Sequence, residues 1–230
     1  MYASPDTARL VSVFAGPGRA VLDALAMLDS EWRLAVRAGV DHGLAHTKLA
    51  WWRTELGRLR DGTPAHPLTR ALNGAAAGPV AFSLLGDRLD AADLALGGFA
   101  PQSLPELEAL SARSHGSLWQ LAAALIAPAS AAPVIAGAAT LGRAFGLLAF
   151  QPHAAAPVPG IDAASLRERV IALLDASEVA LPAQGMPALG ALSVARALER
   201  SRLARGAPSR VVQLWIAWRA ARLAHRNGSP

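Results

Sequence analysis

Apolar residues recur at helical spacing along nearly the whole chain, and no segment shows the period-two alternation that a half-buried strand requires. Leu22, Leu25, Leu28 and Trp32 form the first clear stripe, and similar stripes follow up to the C-terminal segment. Glycine and proline separate most of the periodic segments from one another. We therefore expect an all-α protein whose 230 residues form a single-domain helical bundle.

Local signals predict where some of these helices begin and end. One helix is expected from about Asp41 to Asp61, because Gly62 and then a proline follow it. Ser103 with Glu106 forms a capping-box pattern, which predicts a long helix that ends at about residue 127. Asp162 is the expected N-cap of a later helix.

A segment without charged side chains runs between Arg113 and Arg143, which is longer than a membrane-crossing helix needs. It is mostly alanine and contains Pro128 and Pro133, so its transfer into lipid is weakly favourable. This composition favours a buried helix pair in a bundle, and a spanning helix is the alternative.

Positive charge is concentrated near the C-terminus, where eight arginines lie in the last two predicted helices and Glu199 is the only acid after Glu178. A lipid surface, a diphosphate or a nucleic acid would be attracted by the same Coulomb force. No recognition motif supports specific nucleic-acid binding. The first ten residues lack a basic region and an apolar core, which predicts a cytoplasmic protein, with peripheral contact to the inner membrane through the arginine-rich helices. The arginines are Arg196, Arg200, Arg202, Arg205, Arg210, Arg219, Arg222 and Arg226.

Motifs that would indicate an enzyme are scarce. The chain has no cysteine, which excludes thiolate nucleophiles and thiolate metal sites, and it has no P-loop or G-x-S-x-G sequence. His42 and His46 are spaced for one helix face, but no third ligand is evident, so we predict no metal site there. From the residues alone we assign no catalytic residue.

Two adjacent segments, "KLAWWRTEL" from Lys48 and "PAHPLTRAL" from Pro64, closely resemble the squalene/phytoene synthase family. The segments "LPELEALSARSHGSLWQLAAALI" and "LGRAFGLLAF" are similar to two further helices of that family. The resemblance implies an isoprenoid-synthase-like bundle. In active members, magnesium held by two D-x-x-x-D motifs assists chemistry on prenyl diphosphates.

Neither aspartate motif is present. The segment before "WWR" offers only Asp29, Glu31 and Asp41, at the wrong spacing, and His153 and Pro157 stand where the second motif would have its aspartates. The chain is in this respect similar to a degenerate branch that includes complex I assembly factors with a phytoene-synthase-like domain. This similarity implies a binding or assembly protein with a protein partner and no cofactor. The alternative is a magnesium-dependent prenyltransferase with a rearranged site, whose first candidate carboxylates are Asp87, Asp90 and Asp93.

The resemblance also implies where a ligand would bind. We expect Arg33, Arg53 and His153 to contact a phosphate of an isoprenoid or lipid ligand. The two tryptophans of "WWR" are expected to pack into the bundle, and Lys48, Arg53 and Glu55 are expected to form pairs on the helix surface. The helices from about residue 123 to 148 are expected to line a cavity narrower than that of active members.

Overall fold

The computed structural model of the protein describes residues 5–37, 39–76, 82–130, 132–149, 160–180, 189–206 and 209–226. Within these ranges every regular element is helical, which confirms the all-α prediction. The α-helices, in chain order, are α1 Pro5–Phe14, α2 Arg19–Ala35, α3 His42–Arg60, α4 Pro67–Ala75, α5 Ser83–Leu96, α6 Leu104–Ser111, α7 Ser117–Ile126, α8 Ala132–Ala149, α9 Ala163–Ala180, α10 Gly190–Arg205 and α11 Arg210–Arg226.

The predicted helix starts agree with the hydrogen bonds at the helix ends. The Asp41 carboxylate accepts from the Leu44 amide at 2.8 Å and caps α3. Ser103 accepts from the Glu106 amide at 3.4 Å, and Asp162 accepts from the Ser165 amide at 2.8 Å. Each side chain satisfies a backbone donor that has no partner inside the helix, which is why these positions begin helices.

The long helix predicted after Ser103 extends to Ile126, but it is not α-helical throughout. Residues Ala112–Gly116 form a π-helical turn between α6 and α7. A π turn inserts one extra residue into the hydrogen-bond ladder, and such turns are frequent at functional sites. Here the turn brings buried Ser114 and His115 against neighbouring helices.

Helix α8 lies inside the bundle and packs against α6, the π turn, α7 and α9. Its apolar face, which includes Ala138, Leu141 and Phe145, has no exposed surface, and the ring of Phe145 packs against Trp119 at 5.0 Å between centroids. By length and composition α8 is also capable of crossing a membrane, and 50% of it is buried within the protein. The side chains of α8 that were expected to line a cavity are therefore packed against neighbouring helices at these positions.

Two glycines allow α8 to approach the π turn closely. A Cβ atom at Gly142 would lie 2.5 Å from the carbonyl oxygen of His115, and one at Gly146 would lie 2.6 Å from the Cβ atom of Ser111. Both distances are far below van der Waals contact, and the atoms met are main-chain atoms or atoms next to the main chain. Helix α8 must therefore move away from the π turn if Gly142 gains a side chain, and away from Ser111 at the end of α6 if Gly146 does.

We predict that Gly142→Ala lowers the free energy of unfolding by about 1 to 3 kcal/mol, because the added methyl group displaces backbone rather than a flexible side chain. Gly57→Ala is the matched control, since nothing lies within 4 Å of the added Cβ atom in α3. The control is expected to be neutral or to stabilise by about 0.5 to 1 kcal/mol. Urea unfolding measures both changes, and equal behaviour of the two variants would contradict the close approach.

Candidate functional site

Glu55 of α3 is fully buried and binds the segment that leads into α4. Its Oε1 atom accepts hydrogen bonds from the amides of Ala65 and His66, each at 2.8 Å, and from the Thr69 hydroxyl at 2.5 Å. The expectation of a surface pair at Glu55 holds only in part, because its Oε2 atom lies 3.4 Å from the half-exposed Arg58 while the carboxylate itself is buried. Its other bonds satisfy backbone donors at the start of α4, where no helical partner exists.

The tryptophan pair of α3 divides between core and surface. Trp52 is buried and packs edge-on against Trp32 of α2 at 5.8 Å and against the ring of His66 at 4.8 Å. Trp51 is 43% exposed and covers Trp52 from outside. The expectation that both rings pack into the bundle is therefore confirmed for Trp52, whereas the ring of Trp51 is only partly buried. The contacts join α2, α3 and the start of α4.

A buried ion pair joins α2 to α5. The guanidinium of Arg88 donates to Asp29 at 2.8 Å, and both side chains are almost completely buried. Arg33, one turn along α2, contacts the other carboxylate oxygen at 3.2 Å from the solvent side. Burial raises the pKa of Asp29, but the surrounding positive charges, including Arg88 and Arg33, outweigh burial and hold it well below its ordinary range. Asp29 is therefore ionised and engaged by guanidinium groups.

The charges of Asp29 and Arg88 act on the imidazole of His115 in the π turn. Its Nδ1 atom is 3.1 Å from the hydroxyl oxygen of Ser114, and that hydroxyl donates its proton to the Leu110 carbonyl at 2.7 Å. Burial lowers the pKa of His115 well below its ordinary value, and the positive charge of Arg88 acts in the same direction while Asp29 opposes it. His115 is neutral near pH 7, which keeps this cluster from accumulating positive charge.

The second group of carboxylates lies on the exposed side of α5. Arg53 of α3 bonds Asp90 at 3.2 Å and Asp93 at 2.9 Å. Arg113 lies 3.6 Å from Asp90, and His46 lies 3.8 Å from Asp93. Burial lowers the pKa of Arg53, but bonds to Asp93 and Asp90 outweigh it and raise the pKa above the ordinary value. A cavity of about 530 Å³ opens beside these carboxylates, bordered also by Leu94, Gly97, Gly98 and Phe99.

The residues expected to bind a phosphate are distributed as follows. Arg33 bonds Asp29, whereas Arg53 bonds Asp90 and Asp93, so each already has a carboxylate partner. His153 lies outside the described residues, as does Pro157. A common phosphate site for Arg33, Arg53 and His153 stays a prediction. In the described ranges, no group of three or more His, Asp or Glu side chains is arranged to hold a metal ion.

The sequence interpretation missed Arg88 and the π turn. A signal for Arg88 was present, because it lies at helical spacing between the buried residues Leu85 and Ala92. Asp29 lies in the same way between Leu25 and Trp32. A single acid and a single base on two otherwise apolar helix faces indicate a buried pair. The π turn has no comparable signal in the sequence.

We predict that Glu55→Gln destabilises the protein by about 1 to 3 kcal/mol near pH 7, because charge-assisted bonds to backbone amides become neutral ones. Burial raises the pKa of Glu55, but the bonds from His66, Thr69, Ala65 and Arg58 outweigh it and hold the pKa below its ordinary value. The stabilisation is therefore complete above the unfolded-state pKa and is lost as the pH falls through the lower folded-state value. Unfolding measured from about pH 7 to pH 3 should show the variant and the parent converging, and a constant difference would refute this role.

We also predict that Asp29→Asn lowers the free energy of unfolding by about 3 to 5 kcal/mol, because Arg88 is left buried without its counter-charge. The double variant Asp29→Leu/Arg88→Met removes both charges and should recover much of that loss. Urea unfolding at neutral pH compares them. If the single variant is as stable as the parent, Arg88 is not held by Asp29.

Comparison with known proteins agrees with this architecture. The model of the squalene/phytoene synthase family matches residues 5–151, which is more than half of the chain. No curated protein and no solved structure matches the chain. The matched range contains the "WWR" helix α3, the Asp29–Arg88 pair, the π turn and all of α8. The chain belongs to the squalene/phytoene synthase family.

Proposed function

We propose that this protein is a non-catalytic member of its family that acts as a binding or assembly protein. The observation that supports this most directly is the burial of Asp29 against Arg88. Asp29 lies on α2, the helix that precedes "WWR", where the resemblance to active members places a metal-binding aspartate motif. In this chain the carboxylate neutralises an arginine instead.

Magnesium does not fit the carboxylates that the structure describes. It requires several hard oxygen ligands in near-octahedral geometry and usually keeps some of its water. Asp29 is buried and bonded by Arg88, and Asp90 and Asp93 are bonded by Arg53. A cation at either place would compete with a guanidinium for the carboxylate oxygens. The described carboxylates therefore give no support for a bound magnesium ion, which in active members offsets the charge of the departing diphosphate.

The alternative is an active prenyltransferase with a rearranged site. Its support is the cavity of about 530 Å³ beside Asp90 and Asp93, which provides space next to two carboxylates. Arg113 also borders that cavity, and Asp87 is an exposed acid on the same helix. Catalysis there would require Asp90 and Asp93 to exchange Arg53 for magnesium. We favour the non-catalytic function because this exchange breaks two hydrogen bonds before any metal binds.

Binding of an isoprenoid or lipid phosphate without a metal is compatible with the proposal. Arg33 and Arg53 keep 57% and 44% of their side chains exposed, so each has guanidinium donors that face solvent. A single phosphate needs only a few such donors. Release of a diphosphate as a leaving group needs far more charge neutralisation than two paired arginines supply.

We predict no magnesium-dependent release of pyrophosphate from farnesyl or geranylgeranyl diphosphate by the purified protein, because no described carboxylate cluster is free to hold the metal. A coupled pyrophosphate assay with and without chelator measures this. Asp90→Asn/Asp93→Asn is the control that separates a rearranged site from contamination. Turnover that needs magnesium and disappears in this variant would establish the alternative.

The assembly role has its own test. Affinity purification of the full chain from its native host, followed by mass spectrometry, should recover a defined protein at constant stoichiometry. Asp29→Leu/Arg88→Met keeps the core without the ion pair and serves as a folded control. If the chain is recovered without a partner and also shows the magnesium-dependent turnover described above, the proposed binding function is wrong and the protein is an enzyme.

A further inference from the structure

Helix α11 exposes an apolar face to solvent. Val211, Leu214, Trp215 and Trp218 are 78%, 53%, 53% and 47% exposed, and their three- and four-residue spacings place them on one side of the helix. A different side of the helix packs against α10 and α1 through the small buried residues Ala217, Ala221 and Ala224. Ile216 is partly buried against the core, whereas the four exposed apolar side chains point away from the bundle.

Arginines accompany the exposed tryptophans. The guanidinium of Arg219 lies 5.4 Å from the centre of the Trp215 ring, and that of Arg222 lies 4.8 Å from the centre of the Trp218 ring. The aliphatic stems thus run beside the rings and hold the charges at the edge of the apolar face. Helix α11 contains no aspartate or glutamate.

Part of the positive charge predicted for the last two helices is neutralised by carboxylates of the protein itself. On α10, Arg196 lies 3.4 Å from Glu178, Arg200 bonds Asp175 of α9, and Arg202 lies 3.7 Å from Glu199. Those charges are neutralised within the protein. Arg219 and Arg222 of α11 have no carboxylate partner among the residues that the structure describes. Among the side chains of α10 and α11 that the structure describes, the arginines without a carboxylate partner therefore lie on α11, and Arg219 and Arg222 lie beside its tryptophans.

We propose that α11 binds an anionic lipid surface, with its axis in the plane of the membrane and Trp215 and Trp218 at the level of the headgroups. Tryptophan prefers this level because its ring is apolar and its N–H is polar. Arginines beside it attract acidic headgroups, and four arginines in 17 residues prevent the helix from spanning. Both the guanidinium groups and the tryptophan N–H groups of this face are hydrogen-bond donors, which suits a headgroup layer rich in acceptor oxygens. The proposal does not depend on whether the protein is catalytic.

Vesicle flotation of the full chain tests the proposal. We expect binding to phosphatidylcholine vesicles that contain phosphatidylglycerol, little binding to phosphatidylcholine alone, and weaker binding as salt rises. Arg219→Gln/Arg222→Gln should weaken binding at least about tenfold, because each charge near an anionic surface contributes to the affinity. Trp215→Gln/Trp218→Gln should also weaken it, by loss of the inserted apolar area.

The matched control is Arg37→Gln/Arg70→Gln, which removes the same charge from exposed positions outside α11. It should leave vesicle binding within about twofold of the parent, and circular dichroism verifies that every variant is folded. Failure to bind anionic vesicles, or equal weakening by the control pair, would overturn the proposal. A concentration-dependent dimer that is lost in Trp215→Gln/Trp218→Gln would assign this face to a second copy of the chain and would also overturn it.

Discussion

The ion pair between Asp29 and Arg88 is the interaction on which the rest of this structure depends. Neither charge is stable alone in a protein interior, and each is tolerated only because the other neutralises it. The pair fixes α2 against α5 and lies in electrostatic contact with neutral His115 of the π turn. Gly142 then lets α8 close against that turn. A carboxylate in this role is unavailable for a metal, so the contact that organises the bundle also argues against family-type catalysis.

The residues that most resemble the family have structural reasons to be present. Glu55 holds the backbone at the start of α4, and Trp52 packs against Trp32 and His66. Neither role involves a substrate, because both side chains are buried among protein groups. A family pattern at these positions therefore indicates the fold rather than the activity. This explains how "KLAWWRTEL" is retained in a chain without the aspartate motifs.

Periodicity and local chemistry predicted the all-α class and several helix ends, because both depend on neighbours within one or two turns. Ser103 and Asp162 cap helices as expected for that reason. Glu55 was assigned wrongly to the surface, although it lies at helical spacing between buried Trp52 and Leu59. The backbone donors that Glu55 binds lie in the segment after the helix, and the buried partner of Asp29 is Arg88, 59 residues away in the chain. Such contacts depend on the tertiary arrangement, which helical spacing alone does not determine.

The most direct test of this account is a calorimetric titration of the purified chain with magnesium and inorganic pyrophosphate together. Magnesium and pyrophosphate bind each other in solution, so the heat of the same titration without protein is subtracted. If Asp29, Asp90 and Asp93 are committed to arginines, magnesium should then add no saturable heat, and any binding of pyrophosphate to the protein should be unchanged by a chelator. Saturable pyrophosphate binding that requires magnesium and is abolished by chelation would contradict the account, because it would show carboxylates free to hold the metal that the family uses.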